Sequence, residues 1–223
     1  MSDEPKQACP PDNTETVNEF GIYNMRPMNG IQCLPIIGEI EGHNVLPPQS
    51  KATKYEHIIP LLAHIEQDDA LRGLLLIMNT VGGDVEAGLA IAEMISGMSK
   101  PSVSLVLGGG HSIGVALASS TNYSFITPTA TMTVHPIRTS GMIITVSQTY
   151  EYYNRMQERI LRFVSEHSNI SREKLYDLMI AKDEMANDVG TVLIGEDAVR
   201  CGIINEIGGL STALAKLKQL VQS

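Results

Sequence analysis

Positive charge is scarce in this sequence. Sixteen lysines and arginines face 25 aspartates and glutamates over 223 residues, a formal net charge of −9. So little cationic surface argues against a nucleic-acid or anionic-lipid ligand. Cysteine is scarce too. Cys9, Cys33 and Cys201 are odd in number, scattered and without a CxxC pair, which excludes a disulfide framework and points to reduced thiols in the cytoplasm. The opening MSDEPKQACPPDN lacks the basic and apolar pattern of a secretion signal, and no later segment offers about 20 charge-free apolar residues. Residues 103–118 come nearest, but they contain His111 and a run of glycines. No HExxH pattern is present, and His57 and His64, seven apart, read as neighbours on one helix face; no metal is expected. The glycine-rich run lacks the lysine of a phosphate loop, so no nucleotide or other cofactor is expected either.

What is present is a large apolar fraction, 43%, enough for one substantial core. Residues 1–30 hold Pro5, Pro10, Pro11 and Pro27 among acids and read as a flexible arm, with one domain over 31–223. The run CLPIIGEI predicts a first strand, and Ile58, Leu61, Leu62 and Ile65 share one face of a helix over 54–67. GLLLIM (73–78) suits a strand buried on both faces; it feeds the turn NTVGG and a helix capped by Asp84. The same order follows at once, with SVSLVL (102–107), the turn GGGHSIG and a small-residue helix. Strand, glycine-rich turn and helix, repeated, predict an α/β fold built from βαβ units. YSFI and ATMTV read as short strands. A long helix over 148–167 carries Tyr153, Met156, Ile160, Phe163 and Val164 on one stripe, and a second starts at the capping Ser171. Tyr150, Tyr152 and Tyr153 add more large side chains than one layer needs, so a homo-oligomer is expected.

In GHSIG, glycines at −2 and +2 flank Ser112 between a buried strand and a helix, the sequence form of a nucleophile elbow. The bland alternative is a serine that caps a helix after a tight turn. A serine nucleophile needs a base, and the base an orienting acid. After Ser112 the histidines are only His135 and His167, and no aspartate occurs before Asp177. The order Ser, Asp, His is therefore closed, and its Glu version would put Glu151, Glu158 or Glu166 on the same helix as His167. His135, at the end of ATMTV and followed by Pro136, leaves open the order Ser112, His135, then a later Asp. Gly82-Gly83 lies at the carboxyl end of a parallel strand, where ligands sit in open α/β folds and amides can face a carbonyl.

Together, the strand-NTVGG-helix, strand-GGHSIGV-helix and TVHP blocks, with the closing EDAVRCGIINEIG, resemble the Clp protease proteolytic subunit family over roughly residues 32–215. They come nearest its translocation-enhancing, signal-peptide-peptidase-like branch. The resemblance implies a crotonase-like repeated βαβ fold with a protruding long-helix handle. It also implies a serine peptidase acting on peptides or unfolded protein, ring-shaped heptamers, and a possible ATP-dependent unfoldase partner. Residue by residue it implies Ser112 as nucleophile, His135 as general base, Gly83 and the amide of Ile113 as oxyanion hole, with Gly82 shaping the same turn. The acid is assigned to Asp188, which lies nearer the family spacing from Gly202; Asp183 is the alternative. The sequence departs from the family at His111, a candidate second titrating group that is rather expected to line the pocket, at Thr80-Val81 where the family has serine-proline, and over PIRTSGMIITVSQTY. Arg138, in that last stretch, is a candidate for a substrate carboxylate or a neighbouring subunit. Two other functional classes remain at this stage: a crotonase-type acyl-CoA enzyme, disfavoured by the few basic residues, and an inactive ring scaffold.

Overall fold

The computed structural model describes residues 29–138, 145–182 and 189–223. Cys9 and the expected arm fall outside these residues, save Asn29 and Gly30. An eight-stranded sheet organises the chain. Its main path runs β2 (Ala52–Lys54), β1 (Ile31–Glu41), β3 (Gly73–Gly83), β4 (Ser102–Gly110), β5 (Tyr123–Ile126) and β8 (Glu206–Ile207), each neighbour parallel to the next. Parallel sheets need both faces covered, and β3 shows how this is done. Leu74, Leu76 and Met78 pack on one side with Ile58, Leu62 and Ile65 of α1 (Tyr55–Gln67) and Ile91 and Ile95 of α2 (Val85–Ser96). Leu75 points the other way, onto Ala213 and Leu217 of α7 (Leu210–Gln222). The period of two thus divides a continuous apolar run between two cores.

Two expected turns are corrected. NTVGG and the triple glycine are strand: β3 reaches Gly83 and β4 reaches Gly110. Glycines resembled a turn because each strand carries an irregularity at that point. On β1 the register passes from Gly38↔Thr80 to Glu39↔Gly82, leaving Val81 bulged out and 64% exposed. Between β3 and β4 it jumps from Met78↔Val106 to Thr80↔Gly110, and the Asn79 side chain accepts from the Gly109 N–H at 2.9 Å inside the gap. Asp84 caps α2 as expected, accepting from the Ala87 N–H at 2.8 Å.

A second strand path leaves β4 at a single pair, Gly109↔Thr131, to β6 (Thr131–Val134), which pairs antiparallel with β7 (Thr191–Ile194). α3 (Gly114–Ser119) follows β4, and α6 (Glu196–Cys201) precedes β8. α4 (Val146–Glu166) buries Met156, Leu161, Phe163 and Val164 in its later turns, while Tyr150 and Tyr152 in its early turns stay 68% and 55% exposed. α5 (Arg172–Ile180) starts where Ser171 accepts from the Lys174 N–H and lays Leu175 and Met179 against the same core. Among the described residues no helix is long and apolar enough to cross a membrane.

Candidate active site

β4 delivers its chain end to the carboxyl edge of the sheet, and the backbone there turns sharply into α3. Ser112 makes the turn at φ +56°, a left-handed conformation that a non-glycine residue adopts only at a cost. Three backbone hydrogen bonds fix it. The Ser112 N–H donates to the Thr133 carbonyl on β6 at 2.8 Å, the His111 N–H to the Thr80 carbonyl on β3 at 3.2 Å, and the Gly114 N–H to the His111 carbonyl at 2.9 Å. Among the described residues nothing accepts the N–H of Ile113, and the Ser112 hydroxyl has no hydrogen-bond partner. An unused amide beside an unused hydroxyl is what an incoming carbonyl requires.

Behind the serine, Gly82 lies at φ +92°, and a Cβ there would lie 2.6 Å from the Ser112 Cβ. Gly83, at φ +148°, presses on β1 so closely that a Cβ would meet the Ile40 carbonyl oxygen at 2.3 Å. Only glycine fits either place. Thr80 builds this turn: buried, it donates its hydroxyl to the Gly38 carbonyl at 2.6 Å and accepts from the Gly82 N–H at 3.1 Å.

Ser112, Ile113, Gly83 and His135 line one cavity of about 160 Å³. Its remaining wall is mostly apolar and includes Val115, Val164, Leu175 and Met179 of α3, α4 and α5. Arg138 lines it as well. The His135 Nδ1 lies 2.6 Å from the Pro136 carbonyl oxygen. A carbonyl only accepts, so Nδ1 carries the proton and Nε2 presents its lone pair. That is the tautomer a serine's base must have. Gly190, at φ +137°, packs directly on this histidine: a Cβ there would approach the Val134 carbonyl oxygen at 2.5 Å and the His135 Cβ at 2.8 Å.

The expected site residues therefore divide. Ser112, His135, Gly83 and Ile113 meet at one cavity, and Gly82 stands behind the serine. Asp188 and its alternative Asp183 lie outside the described residues. His111 is a correction: it does not line the cavity. Its Nδ1 instead pairs with the Thr133 hydroxyl at 2.8 Å, because the left-handed turn at Ser112 sends neighbouring side chains in different directions. Burial first, then the charge of nearby His135, pushes the His111 imidazole below its ordinary range. Sequence reasoning missed Thr80 and Thr133 as supports of the site. It also missed the wall from α5, though the i, i+4 spacing of Leu175 and Met179 after the Ser171 cap held that signal. Among the described residues no three His, Cys, Asp or Glu side chains converge on a metal site.

The fold and site define a class: a mixed α/β protein with a parallel-rich sheet, carrying a serine on a strand-to-helix elbow that shares a cavity with a histidine. Residues 36–210 match the Clp protease family, and the chain belongs to it. It is 54% identical over 222 residues to the translocation-enhancing protein TepA of Halalkalibacterium halodurans, spanning 98% of this chain and 87% of that one. It is 28% identical over 129 residues to the ATP-dependent Clp protease proteolytic subunit of Lactococcus lactis, 53% of this chain and 63% of the relative. A ClpP1 mutant from Listeria monocytogenes shares the fold, with a TM-score of 0.65 at 22% identity over 82% of this chain and 94% of that one. Family membership supports a serine-peptidase type of function.

Proposed function

We propose that the protein hydrolyses peptide bonds through an acyl-enzyme on Ser112. The observation that carries the reading is the strained serine sharing one cavity with a histidine whose Nε2 is free to take a proton. In this scheme the Ser112 hydroxyl attacks the scissile carbonyl while His135 Nε2 takes its proton and then returns it to the leaving amine. The Gly83 and Ile113 amides hold the developing oxyanion. Asp188 is the acid assigned to His135. It lies nearer the family spacing from Gly202 than its alternative Asp183 does.

The substrate is a peptide or unfolded protein, signal peptides included, and the mostly apolar cavity suits an apolar side chain of such a chain. The working form is a ring of identical subunits in the cytoplasm, acting alone or with an ATP-dependent unfoldase. Exposed Tyr150 and Tyr152 on the early turns of α4 suit a helix that reaches out as a handle toward another subunit, and free Cys33 and Cys201 suit a reducing compartment.

Treatment with a fluorophosphonate followed by peptide mapping tests this, since such probes modify activated serines and leave a capping hydroxyl alone. Label on Ser112 is expected, lost in Ser112→Ala and reduced by about 10²–10⁴-fold in His135→Ala. Of the two acid variants, Asp188→Asn should slow labelling and Asp183→Asn should not. An unlabelled but folded and oligomeric wild type would favour a latent peptidase or a scaffold.

A further inference from the structure

His111 is the residue immediately before the serine, and nothing in the mechanism above uses it. Its surroundings are built nonetheless. The ring lies over Gly109, where a Cβ would come within 2.8 Å of Cδ2 and Nε2, so no larger residue fits beneath it. Nδ1 meets the Thr133 hydroxyl at 2.8 Å, and the His111 N–H donates to the Thr80 carbonyl. Thr80 is also the residue whose hydroxyl accepts from Gly82. One side chain and its backbone therefore join the oxyanion turn, the elbow and β6.

The β6 end of this link matters most. Along β6, Met132 and Val134 are buried while Thr131 and Thr133 are half-buried, the alternation of a strand with two unlike faces. His135 follows Thr133 by two residues. β6 is joined to β4 by a single ladder pair, Gly109↔Thr131, at the end away from His135. Near His135, what ties β6 to the elbow is the Ser112 N–H on the Thr133 carbonyl and the His111 ring on the Thr133 hydroxyl.

We propose that His111 and Thr133 form a clamp that sets the spacing and orientation of Ser112 relative to His135, making both positioning residues. This rests on reading Ser112 and His135 as nucleophile and base. Burial first, then the charge of neighbouring His135, lowers the pKa of the ring and so disfavours its charged form. A charged ring there would oppose the imidazolium that forms on His135 during acylation.

The test is saturation kinetics of fluorophosphonate labelling at Ser112, with circular dichroism to establish the fold of each variant. Thr133→Val keeps the shape and removes the hydroxyl; it should lower the maximal labelling rate about 10–100-fold with the probe's half-saturation unchanged. Thr133→Ser restores the hydroxyl and should restore the rate. His111→Phe, which keeps a flat ring over Gly109 and carries the test should Thr133→Val fail to fold, should show the same loss. Combining it with Thr133→Val should add nothing, the signature of one shared contact. A labelled wild type with Thr133→Val or His111→Phe labelled equally fast overturns the clamp alone. An unlabelled wild type overturns the nucleophile reading and the positioning role with it.

Discussion

At Ser112 the left-handed backbone costs about 1–3 kcal/mol, held in place by the hydrogen bonds to Thr133 and Thr80 around it. Ser112→Ala removes the hydroxyl but keeps the strain, whereas Ser112→Gly removes both. The glycine variant should unfold at a higher temperature than the alanine variant, by an equivalent of about 1 kcal/mol, and calorimetry of the pair would measure the strain less the larger unfolded-state entropy of glycine. Gly82→Ala should do the opposite, since its Cβ meets the serine's Cβ at 2.6 Å and its φ is +92°. His111 gives a pH signature at the same scale. Its folded-state pKa is depressed, so in the window between that value and the ordinary histidine value of about 6.5 the unfolded chain binds more protons. Stability should therefore rise with pH across that window, and the contribution of His111 should level off on either side of it. In His111→Phe that part of the slope should vanish in denaturant titrations at pH 5 and 7.

Between elements, hydrogen bonds that end helices matter more than surface ion pairs. Lys100 reaches back to the end of α1, donating to the carbonyl of Ile65 in its last turn and to that of Asp68 just past it, which also accepts from the Leu71 N–H. Lys100→Met should cost about 1–2 kcal/mol in urea unfolding, more than the loss of a surface charge. Arg159 on α4 forks onto Glu86 on α2 and, through that hydrogen bond first, holds its carboxylate below the usual range. A depressed carboxylate stabilises above its unfolded pKa and ceases to as pH falls through the folded one. Both partners are nearly half exposed, so Arg159→Ala should lower stability by at most about 1 kcal/mol at pH 7, and by less in high salt. Element reading from sequence succeeded where apolar pattern decides: GLLLIM is a strand buried on both faces, SVSLVL is one as far as Val106 with Leu107 exposed, and Asp84 and Ser171 cap helices as their positions imply. It failed at strand ends. Glycines in β3 and β4 mark bulges inside paired backbone, and only the neighbouring strand's register distinguishes a bulge from a turn.

Across the whole molecule, Ser112 and His135 were legible because the elbow motif and the order of later histidines and aspartates restrict the choice, while Gly83 and Ile113 were paired through the resemblance to the Clp protease family; all four line one cavity. Thr80 and Thr133 were not, because a hydroxyl's partner depends on how distant strands align; Thr133 meets His111 only through the β4 to β6 crossing. The exposed tyrosines of α4 bear on assembly. Light scattering at micromolar concentration should give a mass several times the 24.2 kDa chain, and Tyr150→Ser with Tyr152→Ser should lower it. A monomer mass for the wild type would end the ring proposal. The pairing of β6 with β7 also has a consequence for the order in which the protein is made. Thr131 waits for Ile194, and Val134 for Thr191, before the strand carrying His135 gains its second neighbour. A chain still being synthesised exposes its finished elbow while the partner strand is not yet translated. The strand that leads into His135 thus gains its second neighbour only after residues 191–194 have been made, so this side of the site is among the last parts of the fold to be completed during synthesis.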